Sequence, residues 1–305
     1  MKRLGLYGVA AAFMLAGALF SSCQLFQKPT GDGEAEAADT LVVEAFSYID
    51  TASVISCHVY QRLAVDFPLP GDSTVLADSL REWFASAVEE HYMPLLGDET
   101  EPFRFSGDRS NMAELVKAAG EAGVERMSDE LKLMAGEGFE TEYNNDFEAK
   151  LGYQTDRFVT IETTYDIYTG GAHGAWIYKA ATFRCRDGAV MGWNMLDLNQ
   201  KDKIIALIKE GIKEYVSSSD NEVKTDEQLF ECLMLWDDPH TPENELEFGL
   251  PLPATPPCLL SNGMFFCYQQ YEIAPYALGL PMVTVPYDVI APLLSAEGRE
   301  LLDLK

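Results

Sequence analysis

The chemically pointed stretch of this chain is Tyr168-Thr169-Gly170-Gly171-Ala172-His173-Gly174. An imidazole can donate, accept or take a proton near neutral pH. Three glycines in six residues let the backbone turn tightly and give His173 little side-chain cover. Gly170, Gly171, His173 and Gly174 therefore form either a ligand-contacting loop or a tight strand connection. Tyr165, Tyr168, Trp176 and Tyr178 flank the turn at strand spacing, where rings either stack on sugars or pack as cross-strand pairs. Farther on, Glu272 lies in an apolar and aromatic run with Tyr271, Ile273, Pro275 and Tyr276. Such a carboxylate is either a buried acid with a raised pKa or a clamp on backbone N–H groups. The candidate ligand-binding set is Tyr168, Gly170, Gly171, His173, Gly174, Trp176, Glu272 and Tyr276.

Familiar catalytic spacings do not occur. The four histidines are His58, His91, His173 and His240, and no two stand at the i, i+4 spacing of a zinc pair on a helix. There is no Cys-x-x-Cys, no Gly-x-Ser-x-Gly elbow, no Ser-x-x-Lys and no Gly-x-x-x-x-Gly-Lys phosphate loop. With 49 acidic residues, the spacing of carboxylate pairs carries no information. No catalytic residue, metal site or cofactor is assigned. The enzymatic alternative is an envelope hydrolase acting on peptidoglycan or another glycan through His173 and nearby carboxylates. Charge narrows the partners further, because the formal net charge is −27. That surface repels nucleic acid and anionic lipid and attracts cations or basic proteins.

The elements that must position these residues follow from periodicity. Val159, Ile161, Tyr165 and Ile167 alternate with polar residues, and a second alternating run follows Gly174, so 157–185 reads as two strands about a glycine turn. Before it come strands over 41–47 and 54–63, helices over about 73–92 and 110–134, the second interrupted near Gly120 and Gly123, and a strand near 147–153. After it come a turn at Asp187-Gly188, a helix from Asn199, a helix capped by Thr225 and Gln228, a hairpin at Ser261-Asn262-Gly263, a strand over 282–285 and a helical terminus. Clustered rather than alternating elements predict an α+β fold: a mainly antiparallel sheet with packed helices, in two closely associated subdomains.

Lys2, Arg3, an apolar run over 4–20 and Ser21-Ser22-Cys23 resemble a bacterial lipoprotein signal. On that reading residues 1–22 are cleaved, Cys23 is lipidated, and residues 23–38 form a flexible tether. Loss of Lys2 and Arg3 takes the charge from −27 to −29. Cys57, Cys185, Cys232, Cys258 and Cys267 then remain in an oxidising compartment. A two-residue turn at Asn262-Gly263 puts Cys258 opposite Cys267, with Cα atoms about 4.5 Å apart, and predicts a disulfide between them.

The segments "YTGGAHG" (168–174), "LDL" before a helix (196–198), "YEIAPYALG" (271–279) and "VTVPY" (283–287) resemble the RsiV-like family over residues 40 to 305. The resemblance implies an extracytoplasmic α+β domain (169–305) preceded by an α+β partner domain (39–168). The family includes the anti-sigma factor RsiV, in which the domain is a receptor for lysozyme, and PdaC-type peptidoglycan deacetylases. It implies binding rather than chemistry. The chain is expected to be the ectodomain alone, lipid-anchored in the bacterial cell envelope. Its expected partner is an envelope protein or glycan, a cationic muramidase being the example the family offers, and nucleic acid is not a partner.

Overall fold

The computed structural model describes residues 41–54, 57–70, 74–90, 103–135, 142–217, 222–235 and 249–304. The signal segment, Cys23 and the tether lie outside the described residues. The chain enters the fold as a hairpin of two 14-residue strands, β1 (Leu41–Val54) and β2 (Cys57–Pro70), in unbroken register. Both strands run longer than the pattern implied. Pro68 and Pro70 do not stop β2, because β3 pairs with it only as far as Val65 and a strand with one neighbour tolerates proline.

Helices α1 (Val75–Glu90) and α2 (Met112–Ala135) follow, then β3 (Glu142–Gln154), which lies parallel to β2. Parallel neighbours need a crossover, and the two helices supply it. Thr74 and Asn111 cap these helices, accepting from the N–H groups of Ala77 and Glu114. The glycines of α2 do not interrupt it. A side chain at Gly120 would collide with the Tyr48 ring at 2.1 Å, so the glycine lets the helix lie close on β1. Strands β4 (Phe158–Tyr168), β5 (Ala175–Arg184) and β6 (Val190–Met191) complete a sheet ordered β1 to β6, antiparallel apart from β2–β3. Alternation puts Leu63, Val65, Phe147, Ile161 and Phe183 on the helix side, where they pack with Leu80, Phe84 and Leu115.

The remainder builds a second core. Helices α3 (Lys201–Val216) and α4 (Asp226–Cys232) precede a three-stranded sheet of β7 (Cys258–Leu260), β8 (Gly263–Cys267) and β9 (Met282–Val285). The expected capping box of Thr225 and Gln228 starts α4. Two short helices, α5 (Tyr287–Ile290) and α6 (Ala296–Leu301), close the chain on either side of Pro292. Ile204, Ile208 and Ile212 of α3 bury against Leu259, Met264, Phe266 and Val283. The whole is the α+β arrangement, mainly antiparallel, that the element clusters implied. Residue 168, the expected domain boundary, is the last residue of β4, so that boundary lies between two paired strands of the larger sheet.

The hairpin register differs from the one an Asn-Gly turn implies. Leu260 pairs with Gly263, so Ser261-Asn262 forms the turn and Cys258 faces Phe265, while Cys267 pairs with Met282. Gly263 is held inside the ladder, where a Cβ would meet the Val285 carbonyl at 2.3 Å. Cys258 and Cys267 are buried free thiols rather than a facing pair.

Candidate functional site

The face of the larger sheet that points away from α1 and α2 divides into two ends. At one end Thr160 and Thr182, directly opposite each other on β4 and β5, grip the backbone of β7. The Thr160 hydroxyl donates to the Leu259 carbonyl at 2.7 Å, and the Leu259 N–H donates to Thr182 Oγ1 at 2.9 Å. Because Thr160 has spent its hydrogen, the 2.8 Å contact between the hydroxyls has Thr182 as donor. Tyr178 is also covered here: its hydroxyl donates to Glu162 Oε1 at 2.7 Å and its ring meets Phe265 edge-on. Burial pushes the Tyr178 phenol and the Cys258 thiol above their ordinary pKa values.

The other end is open to solvent. Trp176, 42% exposed, stands beside the glycine turn and opposite the exposed Asp166. The turn is built by Gly170 and Gly171 at φ +86° and +87°, a left-handed pair that side chains resist. Gly174 sits 2.6 Å, measured from where its Cβ would be, from the Ile167 carbonyl, so only glycine fits. Tyr168 bonds back to the Gly171 carbonyl at 3.2 Å and closes the turn on itself.

A loop from the second sheet is fastened to this turn by side chains. The N–H groups of Trp176 and Tyr178 face the free edge of β5. Gln270 Oε1 accepts from Trp176 N at 2.9 Å. The Gln269 carboxamide takes both backbone groups of Tyr178, accepting from its N–H at 3.3 Å and donating to its carbonyl at 2.8 Å. Glu272 locks the loop itself. Its two carboxylate oxygens accept from Ala254 N and Gln269 N, each at 2.7 Å, which is the backbone clamp of the two readings open for this residue.

That fastening brings three rings together. His173 stacks on Tyr276 with centroids 3.7 Å apart and planes 19° from parallel. Nδ1 of His173 lies 2.8 Å from the Gly174 carbonyl, which only accepts, so Nδ1 carries the hydrogen. Nε2 of the neutral ring therefore accepts from the Tyr271 hydroxyl at 2.9 Å. Tyr271 is 46% exposed and has φ +64°, an unfavourable backbone for a tyrosine that costs on the order of 1–3 kcal/mol. The two loops thus join His173 to Tyr271 and Tyr276, tie the Trp176 backbone to the same loop, and leave Glu272 as support.

Tyr271, Gln269 and Gln270 are absent from the set picked out of the sequence. The available sign was a Gln-Gln pair directly after an apolar strand. Tyr165 and Tyr178 pack inward, on opposite faces of the sheet, whereas Tyr168 and Trp176 stay at the surface. Among the described residues no three His, Cys, Asp or Glu side chains converge as a metal site would need, and no helix is long and apolar enough to cross a membrane.

Residues 196–288 match a family described as "Protein of unknown function (DUF3298)". This DUF3298 segment includes the loop with Gln269, Tyr271, Glu272 and Tyr276, and the His173 turn precedes it. The chain is similar in structure to a DUF3298 family member from Bacteroides fragilis NCTC 9343, with a TM-score of 0.63 at 20% identity, over 88% of this chain and 98% of that one. It is also similar to a DUF3298 family protein from Pseudomonas aeruginosa PAO1, with a TM-score of 0.52 at 16% identity, over 85% of this chain and 96% of that one. At these identities the likeness speaks for the fold. A search of curated proteins found no match.

Proposed function

We propose that the chain is a lipid-anchored, RsiV-like envelope protein that binds a protein or glycan ligand without chemistry, using the ring cluster of His173, Tyr271 and Tyr276 together with the exposed Trp176 whose backbone is tied to the same loop. The observation that carries this reading is the ordered, exposed ring cluster itself. Two loops from different sheets are hooked together by glutamine side chains, and Tyr271 is held in a costly backbone conformation to complete it. Rings fixed in advance lose little entropy on binding, which is what a recognition surface needs. The Gly174 carbonyl and the Tyr271 hydroxyl hold the two nitrogens of His173, which fixes the ring's orientation at the surface.

The experiment uses the detergent-solubilised full-length protein with hen lysozyme and purified muropeptides as probes. Trp176→Ala and Tyr276→Ala should weaken binding of whichever probe is bound by at least about tenfold, as aromatic anchors do, with the melting temperature unchanged. Turnover of muropeptides that disappears in His173→Ala would establish the hydrolase instead.

A further inference from the structure

The open end of the sheet carries a charge arrangement that the ring cluster does not use. Register places Arg62, Asp146, Asp166 and Trp176 in one row across β2, β3, β4 and β5, with side chains on the same face. Asp146 and Asp166 are directly opposite each other, and like charges in that position oppose one another. Arg62 pairs with Asp146. Among the described residues no cation pairs with Asp166. Although Asp166 is exposed as a residue, partial desolvation of its carboxylate and then the neighbouring Asp146 raise its pKa, so a positive partner would ease it.

Trp176 stands on the other side of Asp166. Its N–H points to Gln270 and not to β4, so Asp166 and Trp176 form a non-hydrogen-bonded pair, the kind whose side chains come closest. An unpaired carboxylate beside an exposed indole is the corner into which a guanidinium or ammonium fits, one edge on the carboxylate and one face on the ring. The net charge of −27 adds long-range attraction for the same sign of ligand.

We propose that the ligand is a basic polypeptide that seats an arginine or lysine side chain between Asp166 and Trp176. This rests on the binding reading above and gives its partner a chemistry. Charge complementarity selects a polypeptide over a neutral glycan, because a sugar hydroxyl can donate to Asp166 but leaves the charge of the Asp146–Asp166 pair unbalanced.

The test uses the full-length protein and two labelled octapeptides, one with four arginines and one with the same positions as citrulline, an uncharged isostere. The arginine peptide should bind at least about tenfold more tightly than the citrulline peptide, and its affinity should fall as salt rises. Asp166→Asn and Trp176→Ala should each weaken it by about fivefold or more. A control pair, Glu114→Gln with Glu121→Gln on the exposed side of α2, should change it by less than about twofold, since screening removes distant charges. Asp166→Asn relieves a like-charge contact, so its melting temperature should not fall. Equal binding of both peptides overturns the proposal, as does a control pair that is as damaging as Asp166→Asn. If muropeptides bind and lose affinity in Trp176→Ala while the arginine peptide does not bind, the ring site stands and the cationic partner is refuted.

Discussion

Replacing Thr182 with valine keeps the shape of the side chain and removes one hydroxyl. That hydroxyl has two roles: it accepts from the Leu259 N–H at 2.9 Å and donates to Thr160 Oγ1 at 2.8 Å. Thr160 and Thr182 are fully buried, so water cannot replace either bond. Leaving a buried N–H without a partner costs about 1–3 kcal/mol, and losing the hydroxyl pair adds about 1 kcal/mol. Thr182→Val should therefore destabilise the protein by about 2–4 kcal/mol, lowering the urea midpoint at constant slope. Thr160→Val should cost a similar amount, because it strands the Leu259 carbonyl. The double variant should fall short of the sum by about 1 kcal/mol, since the shared bond is counted twice in the single variants. Thr182→Ser keeps the hydroxyl and should cost less than about 1 kcal/mol. A Thr182→Val variant within about 0.5 kcal/mol of wild type would mean that the two hydroxyls do not hold β7 to the larger sheet.

Alkaline pH should weaken the fold over a defined window. Burial raises Cys267 from 9.0 to about 12, and burial followed by the Asp50 hydrogen bond raises Tyr48 from 10.0 to about 12. The unfolded chain loses these protons first, so stability is full below about pH 9 and is lost as pH climbs towards about 12. A urea midpoint that does not move between pH 8 and pH 11 would contradict this. Tyr271→Asn tolerates the left-handed backbone, so it should match or exceed wild-type melting temperature while losing ligand binding; a large fall in stability would mean the ring serves the fold. Cys23→Ala should release the protein from membranes into the soluble extracytoplasmic fraction, and unchanged membrane partitioning would refute lipidation.

Local patterns read from the sequence carried most of the element assignments. The alternation around Val159 and Ile161, the Thr225–Gln228 box and the 282–285 strand all appear, because each is set by neighbours close in the chain. What failed were choices made by distant contacts. Gly120 stays helical because Tyr48 packs on it, and Gly263 enters a ladder because β9 lies against it, which shifts the cysteines out of register. The site was half legible for the same reason. Glycines mark the His173 turn in the sequence. Only the fold shows that Gln269 and Gln270 cap the β5 edge some ninety residues back and deliver Tyr271 and Tyr276 to it.

If ligand arrives at the exposed Trp176, whose backbone is tied to the loop that carries the ring cluster, its indole signal reports it directly. The protein has four tryptophans, so indole 15N–1H spectra give four side-chain signals, with Trp176 assigned from Trp176→Phe. Titration with unlabelled hen lysozyme, and separately with muropeptides, should shift or broaden the Trp176 signal saturably with one of the probes. The other three indole signals should stay in place. A Trp176 signal that is unmoved by every probe that binds the protein would contradict the claim.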